Sequence, residues 1–460
     1  MTTSARLGEF APIFYPKSQA VIGASADAGK FGGRFLKGLV SFGYTGKLYP
    51  VNPQESQILG LKTYSRVGDI PGPVDFATIT VPARAVPEIV EECLAKGIKA
   101  VQILTAGFKE ISEEGRKLEE QLTRTAAKGI RIIGPNCFGV YRRASSLGVR
   151  FSKVISYGNA CDVNECDLVE YLGEDPETRI ITAYLEGVKD GRRFFKLLQR
   201  ISQTKPVIIY KGGLTRSGAR AVHSHTGSLG GEAAVWEAVF KQTAAIGVNN
   251  IDELLDAILA FHHLPSHRGR RVAVVGGGGG VSAAAADTCE KMGLSLPLFP
   301  AELQKKLLAM IPPVGSSARN PVDVGNPSPP PPMLKRVLEA VLTEGDIDTV
   351  IVDAVQMSVS ISSMKNGDEQ YGDVVRERAR VPVDAKKKFG KPIVMVLPVE
   401  AMEADAAAVE SEGARRHARD YYLGEGIPVF LTLERAARAL VNLIGYYERR
   451  DAVASSGSNK

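Results

Sequence analysis

The stretch Ala20-Val21-Ile22-Gly23-Ala24-Ser25 decides the fold, because it runs from an apolar strand pattern directly into a turn of small residues. Gly29, Gly32 and Gly33 follow, and a helical pattern comes next. A strand, a glycine-rich turn and a helix in this order are typical of a Rossmann-like sheet, where backbone N–H groups approach a phosphate. A tight turn without a ligand is the alternative role for Gly23, since glycines serve that purpose in any fold.

Short apolar runs alternate with helical patterns along most of the chain. Runs that do not alternate polar and apolar residues are typical of strands covered on both faces, as in parallel sheets. Strands are predicted at residues 20–22, 47–51, 76–81, 100–104, 131–133, 180–185, 206–210, 271–275, 349–352 and 391–397, and helices at 85–96, 113–128 and 232–241. The fold class is therefore α/β with parallel sheets.

Composition narrows the class of protein further. A length of 460 residues favours about three domains, and 44% apolar with 23% charged residues is ordinary for a globular protein. The net charge is +6, and the basic residues are scattered, which argues against a nucleic-acid binder. No apolar stretch is long enough for a membrane span, and no signal peptide is expected. Five cysteines without metal-ligand spacing predict a reduced cytoplasmic protein with no metal site.

Two connectors divide the sequence. The first domain is predicted at 1–144 and is followed by an irregular basic stretch at 141–146. The second domain is predicted at 145–266 and the third at 267–450, with a polar connector between them. The third contains a proline run at 326–332, expected as an extended surface segment. Residues 451–460 are expected to form a flexible tail.

Three further turns follow later strands of the first domain. They begin at Val81-Pro82, at Thr105-Ala106 and at Gly134-Pro135-Asn136. Open α/β sheets bind ligands at the carboxyl ends of their strands, so four turns at one edge predict a nucleotide site. The acidic residue that would bind an NAD ribose is missing at the end of the second strand, where Pro50-Val51-Asn52-Pro53 stands. NAD binding is therefore the weaker alternative.

Two of the six histidines, His223 and His225, lie in a segment of small and hydroxyl residues that is predicted to be a loop. A neutral imidazole is a good nucleophile near pH 7 and can accept a phosphoryl group. An ordinary surface position is the alternative for a lone loop histidine.

The segment 224–231, with the sequence Ser-His-Thr-Gly-Ser-Leu-Gly-Gly, resembles the phosphohistidine loop of the NDP-forming acyl-CoA synthetases. These enzymes are relatives of the succinyl-CoA synthetase α subunit. The resemblance continues in order from about residue 10 to about residue 447, through the segments 21–25, 49–53, 134–139, 157–159, 167–172, 184–187, 211–213 and 320–323. It implies a Rossmann-like CoA-binding domain followed by two flavodoxin-like, succinyl-CoA synthetase-like domains with parallel sheets.

The resemblance also implies a site and a mechanism. His225 would take a phosphoryl group from an acyl phosphate and pass it to ADP, Glu186 would orient it, and His223 would be a bystander. CoA would be bound or lined by Gly23, Ala24, Ser25, Val81, Pro82, Thr105, Ala106 and Asn136. The chain would then be the cytoplasmic α subunit of an ADP-forming acyl-CoA (acetyl-CoA) synthetase, interconverting acyl-CoA, ADP and phosphate with acid, ATP and CoA.

Two departures from the family affect this interpretation. No nucleotide-grasp domain follows Tyr447, so ADP or ATP and Mg²⁺ would belong to a separate ATP-grasp β subunit, in an expected α2β2 assembly. The middle domain also lacks its first strand–helix unit of about 30 residues, in which the family has a phosphate-binding turn between the strand and the helix. A degenerate paralogue, a wrongly spliced or wrongly delimited gene and a deliberately shortened chain are the open explanations. The alternative function is therefore a catalytically impaired CoA-binding regulatory or scaffold paralogue.

A five-glycine turn at 276–280 opens the third domain. It lacks the Lys-Ser/Thr pair of a P-loop and is therefore not a Walker A site. Close packing of a helix on a strand also needs glycine, so a packing role is favoured over ligand binding.

Overall fold

The computed structural model describes residues 5–146, 149–226, 231–266, 269–276, 278–325, 329–353, 369–398 and 406–457. The chain divides into two compact units. One comprises Met1–Ser146, Arg150–Val207 and Lys211–Gln242, and the other comprises Leu147–Val149, Ile208–Tyr210 and Thr243–Lys460.

The helices and strands alternate as the sequence predicts. The helices are α1 (Ala5–Phe14), α2 (Phe31–Ser41), α3 (Val86–Ala95), α4 (Glu113–Ala126), α5 (Glu165–Glu174), α6 (Gly191–Ile201), α7 (Arg216–Thr226), α8 (Ala233–Gln242), α9 (Ile251–His263), α10 (Gly279–Lys291), α11 (Ala301–Leu308), α12 (Pro331–Glu344), α13 (Glu369–Phe389), α14 (Ala406–Gly424) and α15 (Leu433–Gly457). The strands are β1 (Ser18–Ile22), β2 (Lys47–Val51), β3 (Gln57–Ile58), β4 (Leu61–Lys62), β5 (Phe76–Ile79), β6 (Ala100–Ile103), β7 (Arg131–Ile133), β8 (Gly139–Ser146), β9 (Val149–Ser156), β10 (Ile181–Leu185), β11 (Val207–Lys211), β12 (Ile246–Val248), β13 (Val272–Gly276), β14 (Ser317–Ala318), β15 (Val322–Asp323), β16 (Thr349–Asp353), β17 (Ile393–Val396) and β18 (Val429–Phe430). Among the described helices, none has the length and apolar character that crossing a bilayer requires.

The first sheet has the strand order β2-β1-β5-β6-β7 and is parallel throughout. Every residue of β1, β5 and β6 is buried, which confirms the prediction of strands covered on both faces. Its core contains Ile79, Val101 and Ile132, packed with Val90 of α3 and Leu122 of α4. Strand β1 lies between β2 and β5, so the strand order reverses beside it, as at the ligand sites of open α/β sheets.

The six-stranded sheet of the other unit has the order β14-β15-β13-β16-β17-β18. All its pairings are parallel except that of β14 with β15. Its core joins Val275, Val350 and Met395 of the strands to Leu338 of α12 and Leu303 of α11. The predicted strands at 271–275, 349–352 and 391–397 are confirmed.

Strands β10, β11 and β12 form a three-stranded sheet between these two in sequence, with β11 and β12 parallel. Strands β8 and β9 form a separate two-stranded ribbon. The prediction of an irregular stretch at 141–146 is therefore wrong, because the backbone there belongs to β8. The apolar and β-branched residues of the neighbouring segment, such as Val149 and Val154, give β8 a strand with which to pair.

Two smaller expectations also need correction. The last prolines of the run at 326–332 do not continue an extended segment, because α12 begins at Pro331. Proline is favoured in the first turn of a helix, where its missing N–H leaves no hydrogen bond unmade. Residues 451–457, expected in a flexible tail, continue helix α15, and residues 458–460 lie outside the described part of the chain.

Candidate functional site

The glycine turn after β1 is shaped by close backbone approach. Gly23 has a φ of +85°, and a Cβ there would lie 2.6 Å from the Thr80 hydroxyl oxygen. A Cβ on Gly32, in the first turn of α2, would lie 2.1 Å from the Gly23 carbonyl oxygen. Only glycine fits at these two positions, so α2 begins directly against the end of β1. Its N-cap residue Lys30 makes no side-chain capping hydrogen bond, so this side chain does not occupy the first N–H groups of the helix.

Hydrogen bonds connect the next turns along the same edge. The Thr105 hydroxyl donates to the Val81 carbonyl at 2.6 Å, and the Asn136 N–H donates to the Thr105 carbonyl at 2.9 Å. Asn136 has a φ of +58°, a left-handed conformation that asparagine tolerates better than most residues. The turns after β5, β6 and β7 are thus held in one row.

All eight residues predicted to bind CoA lie at this carboxyl edge. Their roles stay predictions, but the structure brings their backbones together as parallel strands require. Ala24 and Ser25 are buried, and Val81, Thr105 and Asn136 are half-buried. Pro82 and Ala106 are exposed. The row of turns after β1, β5, β6 and β7 is therefore partly exposed, and its residues are small and mostly uncharged.

Glu55 is a residue of this site that the sequence reasoning missed. The segment 50–53 at the end of β2 carries no acidic residue, but the loop after it turns back and places the Glu55 carboxylate against the glycine turn. The Ala26 N–H donates to both carboxylate oxygens, each at 3.2 Å, and the Ser25 hydroxyl donates at 3.3 Å. The only signal in the sequence was an acidic residue within four positions of the strand end.

Glu186, predicted to orient the histidine, lies just after β10 and close to the end of β11. The Tyr184 hydroxyl donates to a carboxylate oxygen of Glu186 at 3.2 Å. The Lys211 ammonium donates to the Glu186 carbonyl at 2.9 Å and also to the Gly212 carbonyl. Lys211 is buried, and this burial lowers the pKa of its ammonium group. A buried cation thus fixes the backbone that carries Glu186, a role that the sequence motif 211–213 did not reveal.

His225 lies in a helix rather than in the predicted loop. The backbone of residues 216–226 forms α7, and the Gly218 N–H donates to the Thr215 hydroxyl at 3.0 Å. This contact from the residue before α7, together with Ala219 and Ala221, explains why the segment is helical. The side chains of His223 and His225 and all of residues 227–230 lie outside the described parts of the structure. The pairing of His225 with Glu186 therefore stays a prediction.

The glycine turn of the third domain has a different chemistry. Gly276 pairs in register with Asp323 on one side and Asp353 on the other, and Gly277 lies outside the described residues. Asp323 accepts hydrogen bonds from the N–H groups of Gly278 at 3.0 Å and Gly325 at 2.8 Å. Asp353 is buried, and its Oδ1 accepts no hydrogen bond within the described structure. Burial raises its pKa to about 6.

Comparison with known families divides the chain into three matches. Residues 17–143 match a CoA binding domain, residues 134–261 match a succinyl-CoA ligase like flavodoxin domain, and residues 272–419 match a ligase-CoA domain. The resemblance inferred from the sequence motifs is thereby confirmed.

Individual relatives extend over the whole chain. The chain is 36% identical to subunit alpha of the ADP-forming acetate–CoA ligase I of Pyrococcus furiosus, over 93% of this chain and 96% of that subunit. It is 39% identical to subunit alpha of ligase II from the same organism, over 68% of this chain and 75% of that subunit. A solved structure from Ca. Korarchaeum cryptofilum, described as a dinucleotide forming acetyl-coenzyme A synthetase 1 in complex with phosphate and ADP, superposes with a TM-score of 0.80. It is 31% identical, over 97% of this chain and 98% of that one.

The first of these alignments also contains positions that have no residue in this chain. It has 469 positions but spans 93% of a chain of 460 residues, so roughly 40 positions have no residue here, about the size of one strand–helix unit. The sequence predicts that a unit of this size is absent from the middle domain, where the described sheet has three strands.

Proposed function

Since this chain belongs to the family of ADP-forming acetate–CoA ligases and aligns with an alpha subunit along almost its whole length, we propose that it is the subunit that binds CoA and carries the phosphorylated histidine. Its reaction interconverts acyl-CoA, ADP and phosphate with a carboxylic acid, ATP and CoA. The three domain matches, at 17–143, 134–261 and 272–419, support this assignment.

The arrangement of turns at the carboxyl edge of the first sheet is the main support for the proposal. Four turns of small residues, starting at Gly23, Val81, Thr105 and Asn136, lie in a row beside the point where the strand order reverses. The N-terminus of α2 supplies uncapped N–H groups for phosphates, and the small side chains leave room for a long, thin ligand. CoA has both features, a pyrophosphate and a narrow pantetheine arm.

The reaction transfers one phosphoryl group from an acyl phosphate to His225 and then to ADP. Phosphate attacks the acyl carbon of acyl-CoA, which gives an acyl phosphate and releases the CoA thiol. The imidazole of His225 then attacks the phosphorus and releases the carboxylate. The phosphoryl group passes from His225 to the terminal oxygen of ADP, which gives ATP and restores the histidine. Glu186 accepts a hydrogen bond from the other ring nitrogen and so holds the reactive tautomer.

The partner of this chain is a separate ATP-grasp β subunit, in an α2β2 assembly. It supplies the site for ADP or ATP and Mg²⁺. The naming of the Pyrococcus furiosus relatives as alpha subunits supports a second subunit.

Labelling tests the phosphohistidine directly. With a β subunit present, acyl-CoA and ³²P-phosphate are expected to label the wild-type chain and the His223→Ala control but not His225→Ala. The acid stability of the label distinguishes phosphohistidine, which is acid-labile, from phosphoserine. Equal labelling of the His225→Ala chain would refute the assignment.

The roughly 40 alignment positions without a residue in this chain support a second candidate function. Loss of a phosphate-binding turn in the middle domain would leave a regulatory or scaffold protein that binds CoA but does not transfer phosphate. Calorimetry that detects CoA binding in a chain that never acquires the label would identify this function.

A further inference from the structure

A carboxylate already occupies the glycine turn of the first sheet. Both oxygens of Glu55 accept a hydrogen bond from the Ala26 N–H, and Oε1 also accepts one from the Ser25 hydroxyl. The Asn52 amide nitrogen lies 3.4 Å from the same oxygen. These donors converge on one negative charge, and backbone N–H groups beside a hydroxyl are the kind of donors that hold phosphate oxygens.

The segment that carries Glu55 is anchored independently of this carboxylate. The Asn52 amide donates to the Ala24 carbonyl at 2.8 Å, and its side-chain oxygen accepts from the Gln54 N–H at 2.8 Å. The first bond holds the base of the loop to the glycine turn, and the second fixes the backbone within the loop. The Glu55 side chain is half-buried, so rotation about its own single bonds is enough to move the carboxylate away from the turn.

We propose that Glu55 is a specificity-determining residue of the cofactor site, whose carboxylate competes with the phosphate groups of the ligand for the Ser25 and Ala26 donors. This inference rests on the proposed binding of CoA by the first domain. Two negative charges repel each other at hydrogen-bond distance, so a phosphate takes these donors only after the carboxylate has turned away. A ligand with more phosphate charge is therefore penalised more.

A different role for an acid in this place would have the opposite effect on binding. In dinucleotide-binding folds, an acidic residue after the second strand accepts hydrogen bonds from ribose hydroxyl groups. Besides the Asn52 amide in its own loop, the donors that face Glu55 belong to the glycine turn, which favours competition for phosphate over recognition of ribose.

Calorimetry on the full chain with CoA and with dephospho-CoA distinguishes competition for phosphate from recognition of ribose. Glu55→Gln removes the charge but keeps the size of the side chain, and Glu88→Gln, an exposed position on α3, is the matched control. Glu55→Gln is expected to bind CoA about tenfold more tightly than wild type. The gain in affinity for dephospho-CoA, which lacks the 3′-phosphate, should be smaller. Glu88→Gln should change the dissociation constant of neither ligand.

Three outcomes would overturn the inference, and they differ from one another. Unchanged CoA affinity in Glu55→Gln would refute the role of Glu55 alone. Weaker binding of both ligands would assign the residue to ribose recognition instead. Absence of CoA binding in wild type and variant alike would refute both this inference and the proposed cofactor of the first domain.

Discussion

Two mainly parallel sheets of this chain end in glycine turns that begin helices, and acidic groups reach the two turns in different ways. Beside Gly23, the ends of the neighbouring strands present the Thr80 hydroxyl and the Asn52 amide, and the half-buried Glu55 side chain reaches the turn from a loop. Beside Gly276, they present the buried carboxyl groups of Asp323 and Asp353. The glycine turn sets the path of the backbone in both cases, but the adjacent strands decide the charge of what can bind.

This difference sharpens the interpretation of the five-glycine turn. Asp323 uses its carboxylate to hold the turn, through the N–H groups of Gly278 and Gly325. A buried carboxylate repels an anionic ligand such as a phosphate. The third sheet, whose carboxyl groups are buried at strand ends, therefore favours a packing role for its glycines. The first sheet favours an anionic ligand, because its carboxylate, Glu55, lies on a half-buried loop side chain that can turn away.

A side chain added in the glycine turn of the first sheet is expected to have the largest effect on stability and CoA binding. In Gly32→Ala, the new Cβ would meet the Gly23 carbonyl oxygen at 2.1 Å, and neither backbone segment can move far in a buried sheet. The variant should lose about 3 kcal/mol of unfolding free energy and its binding of CoA. Urea unfolding and calorimetry measure the two effects.

Gly38→Ala, in the same helix, is the matched control. A Cβ there would have only Phe42 within reach, at 4.0 Å. This variant should be neutral or about 1 kcal/mol more stable, because alanine favours a helix. Normal CoA binding by Gly32→Ala would contradict the importance of the close approach.

The stability of the unit that contains the six-stranded sheet is expected to depend on pH through Asp353. Because burial raises its pKa to about 6 from an ordinary value of 3.8, the folded chain keeps a proton that the unfolded chain loses above about pH 4. Stability should therefore fall by about 2 to 3 kcal/mol as the pH rises from about 4 to 6. Asp353→Asn should lack this decline and be more stable than wild type at pH 7.

Urea unfolding between pH 4 and pH 7 measures this pH dependence. The control is Asp420→Asn, at an exposed position of the same unit, which should keep the slope of the wild type. A slope in Asp353→Asn equal to that of wild type would show that the buried carboxyl group is not its origin.

The smallest expected effect concerns the hydrogen bond that connects two turns of the first edge. Thr105→Val keeps the shape of the side chain but leaves the Val81 carbonyl without its donor at 2.6 Å. A loss of about 1 kcal/mol in stability is expected, with a few-fold weaker binding of CoA. Thr343→Val, at an exposed position of helix α12, should leave CoA binding unchanged. If both variants bind CoA as wild type does, the hydroxyl contributes nothing to the edge.

Much of the fold was predictable because buried parallel strands have a clear pattern. The runs at 47–51 and 131–133 agree with β2 and β7 to the residue, since their apolar residues are buried or half-buried. The turns that follow β1, β5, β6 and β7 were predictable for the same reason. Parallel strands place their carboxyl ends at one edge whatever their side chains are.

The remaining features depend on contacts between segments that are distant in sequence. The stretch at 141–146 forms β8 only because β9 pairs with it. The helical backbone around His225 was obscured by its glycines and hydroxyl residues, which also favour turns. Glu55 and Lys211 were overlooked because their importance comes from what faces them, the Ala26 N–H in one case and the Glu186 carbonyl in the other.

The sequence by itself determined the α/β class, the row of small turns, the family and the histidine on which the proposed chemistry depends. These follow from local patterns of burial and from motifs that are contiguous in the chain. Only the tertiary structure decided the charge at each sheet edge, because that charge comes from residues on neighbouring strands and loops. Asp353 is 77 residues from Gly276 in the chain but pairs with it in register, and Glu55 reaches a turn that precedes it by 29 residues. Folding alone makes them neighbours, and their charges then decide what each glycine turn can bind.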